Sequence, residues 1–230
     1  MARAKTAAAA DANPEHDAFP ESRALHEAHD KRMLDRMLFF TDAVFAIVMT
    51  LLVLELRPPN LEAGDLWVSL RAMTPKFVAF AASFALSGIF WIAHLSTTRR
   101  LIHFDWLVAW TNIAFLAPVA LMPFASAMLG EQLGGKAVWQ VYSLILVATS
   151  TMMTLFVLVA SRDDGRLMGG LTPRERGYRI LRAMAPGISF GIGLVLEARD
   201  QNGWAHLCFF LIPVVLLAAR ATLGPRAVKV

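Results

Sequence analysis

Asp42 and Glu55 bracket twelve residues of which only Thr50 is polar, with Arg36 ahead of them and Arg57 just behind. On a helix rising about 1.5 Å per residue that interval covers roughly 18 Å, well short of a hydrocarbon layer about 30 Å thick. At least one of the two acids therefore falls at membrane depth. Glu55 can reach the outer interface beside Arg57, whereas the short side chain of Asp42 must be buried against protein or face water. An ionisable group there is a candidate for function or for a structural network; its simplest partner is Arg36, in a pair that would lock the helix in place. Between the acids, Ile47, Thr50 and Leu54 follow i, i+3, i+7 spacing and fall within about 60° of one another, flanked by Phe40 and Leu51. Asp42 points about 140° away from Ile47. One face of the segment is thus aliphatic with a single hydroxyl, and another carries a charge that needs partners. On spacing alone the stripe reads as a surface for lipid or a neighbouring helix, with Thr50 bonded to its own i−4 carbonyl.

Helices must position these groups, and the composition supplies them. Of 230 residues, 57% are hydrophobic and 17% charged, and the mean hydropathy is +0.51, a balance that points to a membrane protein. Six apolar segments are long enough to cross a bilayer, at 38–56, 75–95, 104–129, 137–160, 178–197 and 203–220. The expected fold is all-α, with six transmembrane helices. Residues 1–36 form an N-terminal tail, 37–221 the membrane domain and 222–230 a C-terminal tail. In the first tail, "MARAKTAAAADANPEHDAFP" reads as disordered and "ESRALHEAHDKRMLDRM" as a short interfacial helix; no secretory signal is expected. An even number of spans puts both termini on one side. Seventeen of the 22 basic residues lie on that side, against Arg57, Arg71, Lys76, Lys136 and Arg199 opposite, which places both termini in the cytoplasm and the protein in the cell membrane.

Several residues have ordinary readings. Arg179 and Arg182, in the first turns of the fifth span, are expected to snorkel. Trp67, Trp106, Trp139 and Trp204 sit near span ends and read as interface anchors. Pro118, Pro123, Pro186 and Pro213 lie inside spans as tolerated kinks. Gly187–Gly191 is a GxxxG, a sign of close helix packing, and "SRDDGRLMGG" at 161–170 is a solvated turn. His94 is a proton relay or a satisfied polar group at a helix end. Cys208 is alone, so neither an intrachain disulfide nor a thiolate metal cluster is available. The dispersed +4 charge argues against nucleic acid.

The segment "RMLFFTDAVFAIVMTLLVLEL" resembles the signature of the transmembrane-protein-175 family of potassium channels: an Arg, three residues, then Phe-Ser-Asp. Arg36, Phe40, Thr41 and Asp42 occupy those places, and Thr41 keeps the hydroxyl of the usual Ser. The family's Trp and His late in the second span match Trp91 and His94, and its Asn ahead of a Pro-Phe pair matches Asn112, with Pro123–Phe124 following. Six spans without a second copy are similar to the prokaryotic branch, which forms homotetramers. The resemblance implies that four first helices surround a central pore lined by Ile47, Thr50 and Leu54. Ile47 would be the constriction, Thr50 would favour potassium, and Leu54 would add an apolar ring near the outer end. Arg36, Asp42, His94 and Asn112 would tie the first span to the second and third. Potassium and other monovalent cations would be the permeant partners, passing near Thr50, with no cofactor and no resident metal.

A tetrameric cation channel with modest preference for potassium over sodium is the reading these residues favour, since no TVGYG filter occurs in the sequence. The alternatives are a proton-coupled secondary transporter using Asp42 and His94, or a proton-conducting channel. No repeat with paired broken helices supports a transporter. No enzyme is expected, because HExxH is missing and no nucleophile is evidently paired with a base at membrane depth.

Overall fold

A computed structural model describes residues 20–59, 65–199 and 208–223, with side chains from residue 27 onward and excluding that of Cys208. Among them there is no strand. Helix α1 runs Pro20–Leu54, α2 Leu66–Ala72, α3 Thr74–Thr98, α4 Trp106–Ala120, α5 Met122–Glu131, α6 Lys136–Ala160, α7 Pro173–Ala198 and α8 Cys208–Leu223; a kinked 3-10 segment, Asp163–Met168, joins α6 to α7. Five stretches are long and apolar enough to cross a membrane: Glu27–Leu54, Thr74–Thr98, Trp106–Glu131, Lys136–Ala160 and Pro173–Ala198. They match the first five expected spans. Of the sixth, only the shorter apolar stretch Phe209–Leu223 is described. Trp204 and the first nineteen residues lie outside the described residues.

The helix boundaries follow local chemistry. The third span is two helices because Pro123 removes an N–H just after Leu121; the Leu121 N–H instead bonds the Pro118 carbonyl at 3.2 Å, and α5 restarts with the proline at its N-terminus. Asp105 caps α4 by accepting from the N–H groups of Leu107 and Val108, while Arg162 donates to its other oxygen at 2.6 Å. Thr172 and Glu175 form a capping box that starts α7 five residues earlier than the apolar run suggests. α1 continues back through the expected interfacial segment without a break at residue 36.

α6 is the centre of the bundle, packed on α4, α5 and α7, and α8 covers α7. Trp139 lies in this core at 2% exposure, its ring 5.8–6.3 Å from those of Tyr142, Phe190 and Phe209. It is not an interface anchor as expected: the aromatic partners that α7 and α8 bring to it draw it inward. Trp67 and Trp106 are exposed, as anchors would be. The 161–170 loop also differs from a plain solvated turn. Asp163 and Asp164 are exposed, but Leu167 and Met168 are buried, and the Leu167 carbonyl accepts from the Ile102 N–H at 2.9 Å.

The GxxxG divides into two unequal glycines. Ser150 of α6 donates to the Ala183 carbonyl at 2.6 Å and accepts from the Gly187 N–H at 2.9 Å, next to the kink position Pro186. A Cβ at Gly187 would meet Ser150 Oγ at 2.7 Å and Cβ at 2.8 Å, whereas at Gly191 nothing lies within 4 Å. Gly187→Ala is therefore expected to destabilise the protein by about 1–3 kcal/mol, because a hydroxyl held at both ends cannot move aside freely. Thermal unfolding in detergent checks this, with Gly191→Ala expected to unfold like the unsubstituted protein.

Candidate functional site

α1 has two unlike sides. Thr41, Phe45, Val48 and Leu52, at i, i+4, i+7 and i+11, are buried to 3% exposure or less, and with them α1 packs on α3, α4 and α5. Around the helix from them, the centre of the Ile47–Thr50–Leu54 stripe is displaced by about 150°. Ile47 is 57% and Leu54 66% exposed, and Phe40, Thr50 and Leu51 are exposed beside them. Only 22% of the apolar window of α1 is buried within the chain, against 39–50% in the other four spans. The helix with the least internal cover is thus the one carrying the stripe. Thr50 Oγ1 donates to its own helix, with the Ala46 and Ile47 carbonyls both at 2.9 Å. That arrangement turns the proton inward and leaves oxygen lone pairs facing out, as a cation ligand requires.

The buried side holds a polar chain in an apolar core. His94 is 2% exposed, between the rings of Phe115 (centroids 5.7 Å apart, 10° between planes) and Phe156 (5.0 Å, 29°). Asn112 Nδ2 donates to Thr41 Oγ1 at 2.8 Å, which leaves Asn112 Oδ1 toward His94 Nε2, also at 2.8 Å. An amide oxygen only accepts, so Nε2 carries the proton. Thr41 Oγ1 donates onward to the Met37 carbonyl at 3.0 Å. His94 Nε2, both polar atoms of the Asn112 amide and the Thr41 hydroxyl each have a partner, and the order of donors is fixed from α3 through α4 to α1. The network closes on a peptide carbonyl.

Asp42 stands apart from that chain. It is exposed, and the Trp91 indole N–H donates to its Oδ1 at 2.9 Å. The expected pairing with Arg36 is not made. Six residues on one helix place the two about 9 Å apart along the axis and about 120° apart around it. Arg36 falls instead within about 20° of Ile47, on the stripe's face, and is exposed without a hydrogen bond or ion pair among the described residues. The signature residues therefore divide into Thr41, His94 and Asn112 in the core, Asp42 with Trp91 at its edge, and Arg36 with Phe40 on the open face. The rings of Phe115 and Phe156 and the Met37 carbonyl were not foreseen, since nothing in a run of apolar residues marks which one will meet a histidine. No group of three or more His, Cys, Asp or Glu among the described residues is placed to hold a metal.

This division of α1 into a polar-tied inner side and an open stripe can be compared with known proteins. Residues 36–123 match the family model described as endosomal/lysosomal potassium channel TMEM175. A potassium channel of Chamaesiphon minutus is 30% identical over 178 residues, covering 75% of this chain and 85% of that protein. The chain belongs to the TMEM175 family. The crystal structure of a lysosomal potassium-selective channel TMEM175 homologue from Chamaesiphon minutus superposes with a TM-score of 0.67 at 25% identity, over 82% of this chain and 98% of that one. A potassium channel of Streptomyces collinus is 36% identical over 114 residues, so the chain spans about half of it (55%). The mouse endosomal/lysosomal proton channel TMEM175 is 34% identical over 122 residues, 24% of its length. Family membership and the apolar spans together make this a multi-pass membrane protein.

Proposed function

We propose that the chain is one subunit of a potassium-permeable cation channel in the cell membrane, in which four copies set their α1 helices around a central pathway. The observation that carries this reading is the stripe itself: Ile47, Thr50 and Leu54 are open on the least covered span of a family whose relatives include proteins named potassium channels. A face that also bears the Arg36 guanidinium and the Thr50 hydroxyl suits water better than acyl chains. In this arrangement both termini are cytoplasmic, the six-helix domain covers 37–221, and the tails 1–36 and 222–230 flank it.

The roles follow from the chemistry of each ring. Four Ile47 side chains form a narrow aliphatic constriction that resists water and therefore ions, and opens when the helices tilt or turn. Four Thr50 hydroxyls, their protons held by the helix, replace part of a hydration shell. Hydroxyls are weaker ligands than stacked carbonyls, so preference for potassium over sodium is modest. Leu54 adds an apolar ring toward the outer end. Thr41, His94 and Asn112 hold the lining helix to its supports, and Asp42 with Trp91 steadies its edge.

Proton conduction is a second reading, motivated by the mammalian relatives named proton channels. A wire through His94 does not suit it, because the hydrogen-bonded chain stops at the Met37 carbonyl, which cannot pass a proton on. Protons would have to share the α1 pathway. Cation flux from liposomes containing purified protein, with no pH gradient, tests the proposal. Potassium is expected to exceed sodium, and Thr50→Ala to bring the two within about twofold while flux persists; unchanged selectivity in that variant would remove Thr50 from the filter.

A further inference from the structure

Where α3 ends and α7 begins, Ser96, Arg100, Glu175, Tyr178, Arg179 and Arg182 enclose a polar pocket of about 140 Å³. Contacts inside the protein account for part of it. Arg179 Nη1 donates to the Ser96 carbonyl at 2.7 Å and Arg182 Nη1 to the Ser96 hydroxyl at 3.1 Å. Arg179 thus satisfies a carbonyl in the last turn of α3, where the helix dipole is negative, and Arg182 is held beside it by the Ser96 side chain. Arg100 Nη2 reaches Glu175 Oε1 only at 3.4 Å, and Glu175 is shared, because its Oε2 accepts from the Thr172 N–H and hydroxyl in the capping box. Three guanidiniums therefore face one carboxylate, a surplus of two positive charges. Each makes one hydrogen bond among the described residues, out of the five N–H donors it offers.

We propose that this pocket binds the phosphate of an anionic phospholipid headgroup. Convergent guanidiniums match phosphate oxygens in forked, charge-assisted geometry, which a lone snorkelling arginine does not. The site lies where two membrane-spanning stretches, Thr74–Thr98 and Pro173–Ala198, reach their ends, at the depth where headgroups are concentrated and beside apolar helix surface along which acyl chains can lie. Tyr178 gives the rim an amphipathic ring suited to that boundary. A free phosphate ion would meet the same charges without the anchoring that the bilayer provides. The inference concerns lipid binding alone and stands whether or not the pathway along α1 conducts.

Native mass spectrometry of the full chain in detergent, titrated with phosphatidylglycerol and with phosphatidylcholine, tests it. A surplus of two charges at about fivefold each gives the unsubstituted protein about a 25-fold preference for phosphatidylglycerol. Arg100→Gln combined with Arg182→Gln is expected to abolish most of that preference while leaving Arg179 on the Ser96 carbonyl. Arg99→Gln, which changes an exposed arginine outside the pocket, is expected to keep it. Equal binding of the two lipids by the unsubstituted protein would overturn the proposal, a result that needs no variant to fold. So would an unchanged preference in the double variant, or an equal loss in Arg99→Gln. Displacement of phosphatidylglycerol by millimolar inorganic phosphate would show that the pocket takes the free anion and overturn the lipid assignment.

Discussion

Ile47→Asn is expected to raise resting cation flux about tenfold or more in liposomes. Ile47 is open on α1, and in the proposed assembly its four copies make the narrowest apolar ring. Such a ring holds ions back because water inside it has too few partners, so a carboxamide at each position wets the constriction without adding charge. A tenfold rise corresponds to only about 1.4 kcal/mol off the barrier, a small demand on four amides. Ile47→Ala is expected to act in the same direction by widening the ring. Flux equal to that of the unsubstituted protein in both variants would mean that the narrow point lies elsewhere on the helix.

Asn112→Leu is expected to be the most destabilising single change at the site, by about 2–3 kcal/mol. It removes two hydrogen bonds together and strands the His94 Nε2–H and one acceptor position on Thr41 in a dry core. Hydrogen bonds inside membrane proteins average below 1 kcal/mol in measured cycles, so the larger figure rests on the unpaired groups left behind. Thermal or denaturant unfolding in detergent reads the loss. A cycle with Thr41→Val is expected to show coupling, since the leucine has nothing to donate to either side chain at position 41. Additive losses would mean that the two side chains do not act together. Asp42→Ala, by contrast, breaks a hydrogen bond on the exposed side of α1 and is expected to disturb folding far less than the loss of a buried Asp–Arg pair would.

How much of this was legible in the sequence depended on the range of the interactions. Apolar runs place the first five spans, because a bilayer demands length and hydropathy of each helix separately. The start of α7 was also present locally, in the Thr172–Glu175 capping pattern, but Arg174, Glu175 and Arg176 made that first turn look too polar to belong to the span. The stripe was readable from helical phase alone, and the structure adds that it is the uncovered side. Partners were not readable. Arg36 looked like the natural match for Asp42 because it is near in sequence, yet helical geometry separates them, and the indole of Trp91, 49 residues on, takes its place. Trp139 could not be told from an interface tryptophan until Phe190 and Phe209 arrived from other helices. His94 was ambiguous for the same reason: its donor role is settled by Asn112, and its dry surroundings by Phe115 and Phe156.

Whether the open side of α1 meets an aqueous path or acyl chains decides the whole functional reading. The most direct measurement is potassium flux through Leu54→Cys protein, in a Cys208→Ala background, before and after a charged, water-soluble thiosulfonate is added from outside. If Leu54 rings a conduit near its outer mouth, the reagent reaches the thiol and its fixed positive charge blocks most of the flux. Flux unaffected by that reagent, with the thiol reacting only with a bilayer-soluble maleimide, would contradict the account.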